Sequence, residues 1–141
     1  MQAGNKVAPS SSVTLASYVT NASAGSSMSG IPYCWGGMQG NQNLGSEINY
    51  TKFKTVIATS YGSNLYSAGN VNCTGNYKSG TAGVDCSGFV GCAFELTSKK
   101  NSEWFRDSFG SIVEGENYQS MDVMAKSGHV MLFDLYSAST D

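Results

Sequence analysis

The stretch Val84-Asp85-Cys86-Ser87-Gly88-Phe89-Val90-Gly91-Cys92-Ala93-Phe94 decides how this chain folds. Cys86, Phe89, Val90 and Ala93 recur at intervals of three and four, the spacing of a helix with one inward face. Asp85 stands where a side chain caps such a helix. Ser87 and Gly88 keep the first turn small, which leaves room for a substrate carbonyl beside Cys86. Phe94 and Leu96 extend the apolar surface before Thr97-Ser98-Lys99-Lys100 ends the segment. A cysteine that opens a helix is placed as a nucleophile, because the unpaired amides there favour its thiolate.

Working outward, the chain offers a single imidazole to partner that sulfur, His129. Gly128 precedes His129-Val130-Met131-Leu132-Phe133, an apolar run with the composition of a strand. Alternation turns His129, Met131 and Phe133 to one face and Val130 and Leu132 to the other. Ser111-Ile112-Val113 is also strand-like, and Trp104, Phe105 and Phe109 form a short packed element after Asn101-Ser102. Towards the N-terminus, Ser12 is expected to cap a helix through Val13, Leu15, Ala16, Tyr18, Val19 and Ala22. Ser29-Gly30 ends it, and Ile31-Pro32-Tyr33-Cys34-Trp35-Gly36-Gly37 reads as a turn built around a large indole. Residues 38–84, polar and rich in Asn, Gly and Tyr, read as an elaborated insertion with a short helix or strand near 50–61. The order is helix, insertion, nucleophile helix, sheet: an α+β domain.

A chain of 141 residues accommodates one such domain, residues 1–141, with a modest core. Eight tyrosines, six phenylalanines and two tryptophans argue against general disorder. The formal charge is only -2 and no basic cluster is dense enough to follow a phosphate backbone, so nucleic acid is not an expected partner. Lys99-Lys100 reads as a solvated turn. No apolar run is long enough to span a bilayer. The opening Met-Gln-Ala-Gly-Asn-Lys lacks a signal-peptide stretch, as a mature secreted domain also would.

Four cysteines, Cys34, Cys73, Cys86 and Cys92, permit three fully paired arrangements. A reactive Cys86 excludes all three, and residues 86 and 92 fall on different faces of a helix. Cys34 with Cys73 is the expected disulfide. Zinc is a weaker reading, because there is no C-x-x-C pair and the one histidine is remote in sequence.

Helix-borne Cys86 and strand-borne His129 suit covalent chemistry. The imidazole takes the thiol proton, the sulfur attacks a carbonyl, and the proton passes to a leaving amine. The amide of Cys86 helps to hold the developing oxyanion. Taken singly, each residue has a plainer role, since cysteine and histidine also pack and hydrogen-bond without doing chemistry.

Three blocks, Ile31-Pro32-Tyr33-Cys34-Trp35-Gly36-Gly37, Asp85-Cys86-Ser87-Gly88-Phe89-Val90 and Gly128-His129-Val130-Met131-Leu132-Phe133, resemble in order the motifs of NlpC/P60 cell-wall peptidases. The resemblance implies a papain-like fold, with N-terminal helices packed on a small antiparallel sheet. It implies hydrolysis of amide bonds in peptidoglycan stem peptides through an acyl-enzyme, with no cofactor and no metal, by a secreted or envelope-facing protein. It gives Cys86 the nucleophile role and His129 the base role. Tyr33, Trp35, Gly36, Asp85 and Ser87 take supporting positions around substrate and oxyanion. Asp122 matches the aspartate of a Gly-Asp turn leading into the sheet, with Met121 where the glycine is expected.

The chain departs from that pattern in two places. The family's third polar residue, a His, Asn or Gln on the strand after the base, is not identifiable in Asp134-Leu135-Tyr136-Ser137-Ala138-Ser139-Thr140-Asp141: none of the three occurs there, Asp134 follows the strand closely and Asp141 is terminal. The sheet likewise reads as truncated at the C-terminus, so a missing segment or a partner chain is expected to complete it. Three other readings stay open: a CHAP-like amidase or cross-bridge endopeptidase, an acyltransferase, and a catalytically impaired wall-binding or interaction module.

Overall fold

The computed structural model describes residues 12–21, 29–40, 42, 44, 51–58, 66–112 and 117–134. Within them the chain is a small mixed α+β domain. Its elements are α1 (Ser17–Thr20), α2 (Phe53–Ala58), β1 (Ser67–Ala68), β2 (Thr81–Ala82), α3 (Cys86–Ala93), α4 (Ser102–Ser108), β3 (Val123–Lys126) and β4 (His129–Leu132). The strands form two two-stranded sheets: β1 and β2 are parallel, β3 and β4 antiparallel.

Helix α3 begins where the sequence places it. Asp85 is its N-cap, in extended conformation, and its Oδ1 accepts the Gly88 amide at 2.7 Å. This satisfies one of the amides that a helix start leaves without an intrahelical acceptor. The buried face differs from the expected one. Ser87, Gly88, Val90 and Gly91 are buried, while Phe89 is 55% exposed and Ala93 is exposed too. Gly88 is also not small in order to admit a substrate. A Cβ there would stand 1.9 Å from the Gly37 carbonyl oxygen, so the glycine lets α3 dock on the loop before it.

Two apolar clusters flank this docking seam. Phe53, Val56 and Ile57 of α2 gather with Tyr66 and Ala82, and Ile31 and Ala68 pack against them. Val90 of α3, Phe105 of α4 and Val130 of β4 form the second cluster, joined by Cys86, Phe94, Leu96, Trp104, Val123 and Leu132 among others. Asn101 caps α4 by accepting the Trp104 amide at 2.9 Å. Between the clusters, Tyr33 bridges Val84 and Cys34 bridges Asn70, both in parallel sense. Met38 meets Val84 in an antiparallel bridge, so the two ends of the stretch read as an insertion lie side by side.

In β4, Val130 is buried and His129 and Met131 are exposed, the alternation expected. The register sets Lys126 opposite His129 and Met124 opposite Met131. Ser127 and Gly128 form the two-residue turn, with Gly128 at φ 77°, the left-handed conformation that glycine adopts without strain.

Two expected elements are corrected. The first helix does not start at Ser12: residues 13–16 are not helical, Ala16 is extended, and α1 begins after it without a side-chain cap. Long-range hydrogen bonds hold that strap. The Thr14 amide donates to Asn70 Oδ1 at 3.2 Å, and the Val71 amide donates to the Thr14 carbonyl at 2.8 Å. Short helices nucleate poorly, and these tertiary bonds outweigh local preference. Tyr18 faces outward rather than inward, and Ala22 lies outside the described residues. Ser111 and Ile112 are not strand, with Ile112 87% exposed, and Val113 lies outside the described residues.

Candidate active site

Cys86 opens α3 half-buried and as a free thiol. It borders an open cleft of about 710 Å³, whose other walls include Trp35, Asp85, Lys99, Glu103 and Gly128. The amides of Cys86 and Ser87 belong to the first helical turn, which has no preceding turn to bond to. They are the donors available to an oxyanion formed at the sulfur.

The neighbours of Cys86 are largely committed to holding the helix start. Asp85 Oδ1 accepts from the Gly88 amide, from Ser87 Oγ at 3.2 Å and from Lys99 Nζ, and Oδ2 accepts the Gly36 amide at 3.0 Å. Lys99 also donates to Ser87 Oγ. The Asp85 carboxylate, the Ser87 hydroxyl and the Gly36 amide are thus occupied in holding the helix start, which leaves the Ser87 amide as its donor toward the cleft. A Cβ on Gly36 would fall 2.8 Å from the Tyr77 Cβ, and its φ of 76° is again glycine's. Trp35 is fixed by its indole N–H, which donates to the Gly75 carbonyl at 2.7 Å, and it lines the cleft as expected.

Tyr33 is turned away from the role expected of it. Its hydroxyl meets Cys73 Sγ at 3.7 Å and it does not line the cleft. Burial first, then the contact with Cys73, then the charges of Asp85 and Cys86 push its phenol well above the ordinary tyrosine range.

The expected disulfide between Cys34 and Cys73 is absent; both are free thiols. The reason is alternation. Tyr33 and Cys34 are successive residues of an extended segment, so their side chains leave opposite faces. Tyr33 reaches Cys73, whereas Cys34 is buried with its sulfur 3.2 Å from Thr81 Oγ1. Burial raises the Cys34 thiol to about 11, and it also raises that of Cys92, whose sulfur donates to the Met38 carbonyl at 3.3 Å.

His129 starts β4, which packs on α3, and the residue before it, Gly128, lines the Cys86 cleft. Its ring is exposed, and among the described residues it makes no hydrogen bond to Cys86. Lys126 is its cross-strand neighbour. Asp134 is exposed beyond the end of β4, and Asp141 lies outside the described residues. Asp122 is fixed in the turn into β3: its Oδ2 accepts the Gln119 amide at 2.7 Å. Met121 before it has φ 77°, in the left-handed region that favours glycine.

Three residues near the cleft have roles that the sequence does not signal. Lys99 is not part of a solvated turn but is paired with Asp85 at the helix start. Lys100 lies 5.1 Å over the Trp104 ring. Glu103 reaches from α4 to the turn before His129, with Oε1 accepting the Gly128 amide at 3.1 Å and Ser127 Oγ at 3.2 Å. Its one sequence clue is its place two residues after a capping asparagine. Among the described residues no group of three His, Cys, Asp or Glu is placed to hold a metal ion, and no helix is long and apolar enough to cross a membrane.

Comparison with protein-family models, with curated proteins and with solved structures finds no match to this chain.

Proposed function

We propose that the chain is a cysteine peptidase of the NlpC/P60 type that hydrolyses amide bonds in peptidoglycan stem peptides at the cell envelope. The observation that carries this reading is the state of Cys86: a free thiol at the first residue of a side-chain-capped helix, open to a cleft whose wall reaches Gly128 beside the one histidine. Substrate lies along that cleft against Trp35. In this reading His129 takes the thiol proton, Cys86 attacks the carbonyl, and the first-turn amides hold the oxyanion. The protonated imidazole then releases the amine, and water resolves the thioester.

The test is digestion of purified stem peptides by the full chain and by Cys86→Ala, with products identified by mass. Cleavage within the peptide by the parent only is expected. Cleavage between sugar lactate and peptide indicates a CHAP-like amidase, and unchanged cleavage by Cys86→Ala removes the nucleophile assignment. A second reading, an interaction module without activity, is favoured by one observation: His129 is exposed and not bonded to Cys86. Stem-peptide binding without turnover, together with a Cys86 inert to thiol reagents, identifies that case.

A further inference from the structure

The hairpin bearing His129 is short, and among the described residues no side chain hydrogen-bonds its imidazole. We infer that Glu103 is the positioning residue for His129, acting through the backbone of the turn rather than through the imidazole. This rests on the peptidase reading and deepens it.

The geometry is specific. Glu103 lies in the first turn of α4, which Asn101 caps and which Phe105 anchors in the apolar cluster containing Val130. Its Oε2 accepts Ser102 Oγ at 3.1 Å, which fixes the carboxylate plane. Its Oε1 takes both the Gly128 amide and the Ser127 hydroxyl, the two groups of the turn that leads directly into His129. A two-residue turn has few other restraints, and Gly128 at φ 77° is free to change conformation. Holding its amide sets where the next residue leaves the hairpin. Glu103 and Gly128 also share the wall of the Cys86 cleft, so the clamp ties the base-bearing strand to the side where the sulfur opens. Its own backbone amide first, then that of Gly128 and the Ser102 hydroxyl, keep the Glu103 carboxyl below the usual carboxylate range, so the acceptor is ionised at neutral pH.

The experiment compares the full chain with Glu103→Ala and Glu103→Gln by three readouts. Exchange of the Gly128 amide is expected to quicken about tenfold in Glu103→Ala, as one charge-assisted hydrogen bond is lost. The imidazole NMR signals, unambiguous because the chain has one histidine, are expected to shift or broaden. On stem peptide, kcat is expected to fall roughly ten- to a hundredfold at near-constant KM, the mark of a misplaced base. Glu103→Gln keeps an acceptor and is expected to recover most of each effect. Unchanged imidazole signals and unchanged kcat in Glu103→Ala overturn the inference. So does unfolding of both variants, which would make Glu103 a folding strut. If the parent cleaves nothing, the peptidase reading falls while exchange and NMR still decide whether Glu103 positions the ring.

Discussion

The carbonyl oxygen of Gly37 lies 1.9 Å from the point that a Cβ on Gly88 would occupy. That approach is the joint between the loop carrying Tyr33 and Trp35 and the helix carrying Cys86, and backbone lies on both sides of it. Gly88→Ala is therefore expected to cost about 3 kcal/mol, at the upper end for forcing atoms into a packed interior. It should also push Cys86 out of line with its cleft. Chemical denaturation gives the first quantity and Cys86 alkylation rates the second. A fully stable Gly88→Ala protein would show that α3 does not seat on this loop.

Lys99 and Asp85 form the second restraint on the same helix start. Their side chains retain only 25% and 11% of their exposure, and Asp85 also accepts from two backbone amides. Lys99→Met leaves that carboxylate short of its cation. Removing one partner of a buried pair costs about 3–5 kcal/mol, and partial exposure reduces the expected loss to about 2 kcal/mol. Lys99→Arg should recover part of it. Urea titration of the three proteins checks the order.

Sequence reaches the parts of this fold that are local. Asp85 before Cys86 is a cap whose partner amide lies three residues on, and α3 starts there as read; the packed element after Asn101-Ser102 is α4, whose cap by Asn101 the structure adds. Strand β4 alternates as its residues dictate. The buried face of α3 is not legible because it is made largely of Ser87, Gly88 and Gly91, residues that dock by being small and carry no apolar signal. Phe89 supplies the period and points outward. The strap over Asn70, the pairing of Lys99 with Asp85 and the reach of Glu103 to Gly128 join residues 56, 14 and 25 positions apart. No periodicity in the chain encodes such contacts. The free state of Cys34 and Cys73 follows from which face each occupies, which depends on the pairing of residues 33–34 with 70 and 84.

Met121 is in the left-handed region at φ 77°, and its side chain is 43% exposed. For a residue with a Cβ this conformation costs roughly 1–2 kcal/mol. Glycine relieves that strain but loses more backbone entropy on folding, by roughly 0.5–1 kcal/mol. Met121→Gly is expected to stabilise the protein by about 0.5 kcal/mol, a rise in Tm of about 2 °C for a domain of this size. A lowered Tm would mean that the Met121 side chain makes packing contacts that outweigh the strain.

Stability should also fall in alkali, and the direction follows from two buried acids. Burial raises Cys34 to about 11 from an ordinary value near 9, and Tyr77 to about 12 from near 10. In each case the unfolded chain loses its proton first, so rising pH favours unfolding. The stabilisation is complete below pH 9 and is lost progressively as pH approaches 11 for Cys34 and 12 for Tyr77. Holding the Cys34 proton over that interval is worth about 2.7 kcal/mol at most, so a loss of about 2 kcal/mol between pH 9 and pH 11 is expected from this thiol. Cys34→Ser removes that ionisation while keeping a small polar group opposite Thr81. Its stability curve should be flatter than the parent's between pH 9 and pH 11, with the fall due to Tyr77 retained. Equal slopes in the two proteins would mean that Cys34 ionises as readily in the folded chain as in the unfolded one.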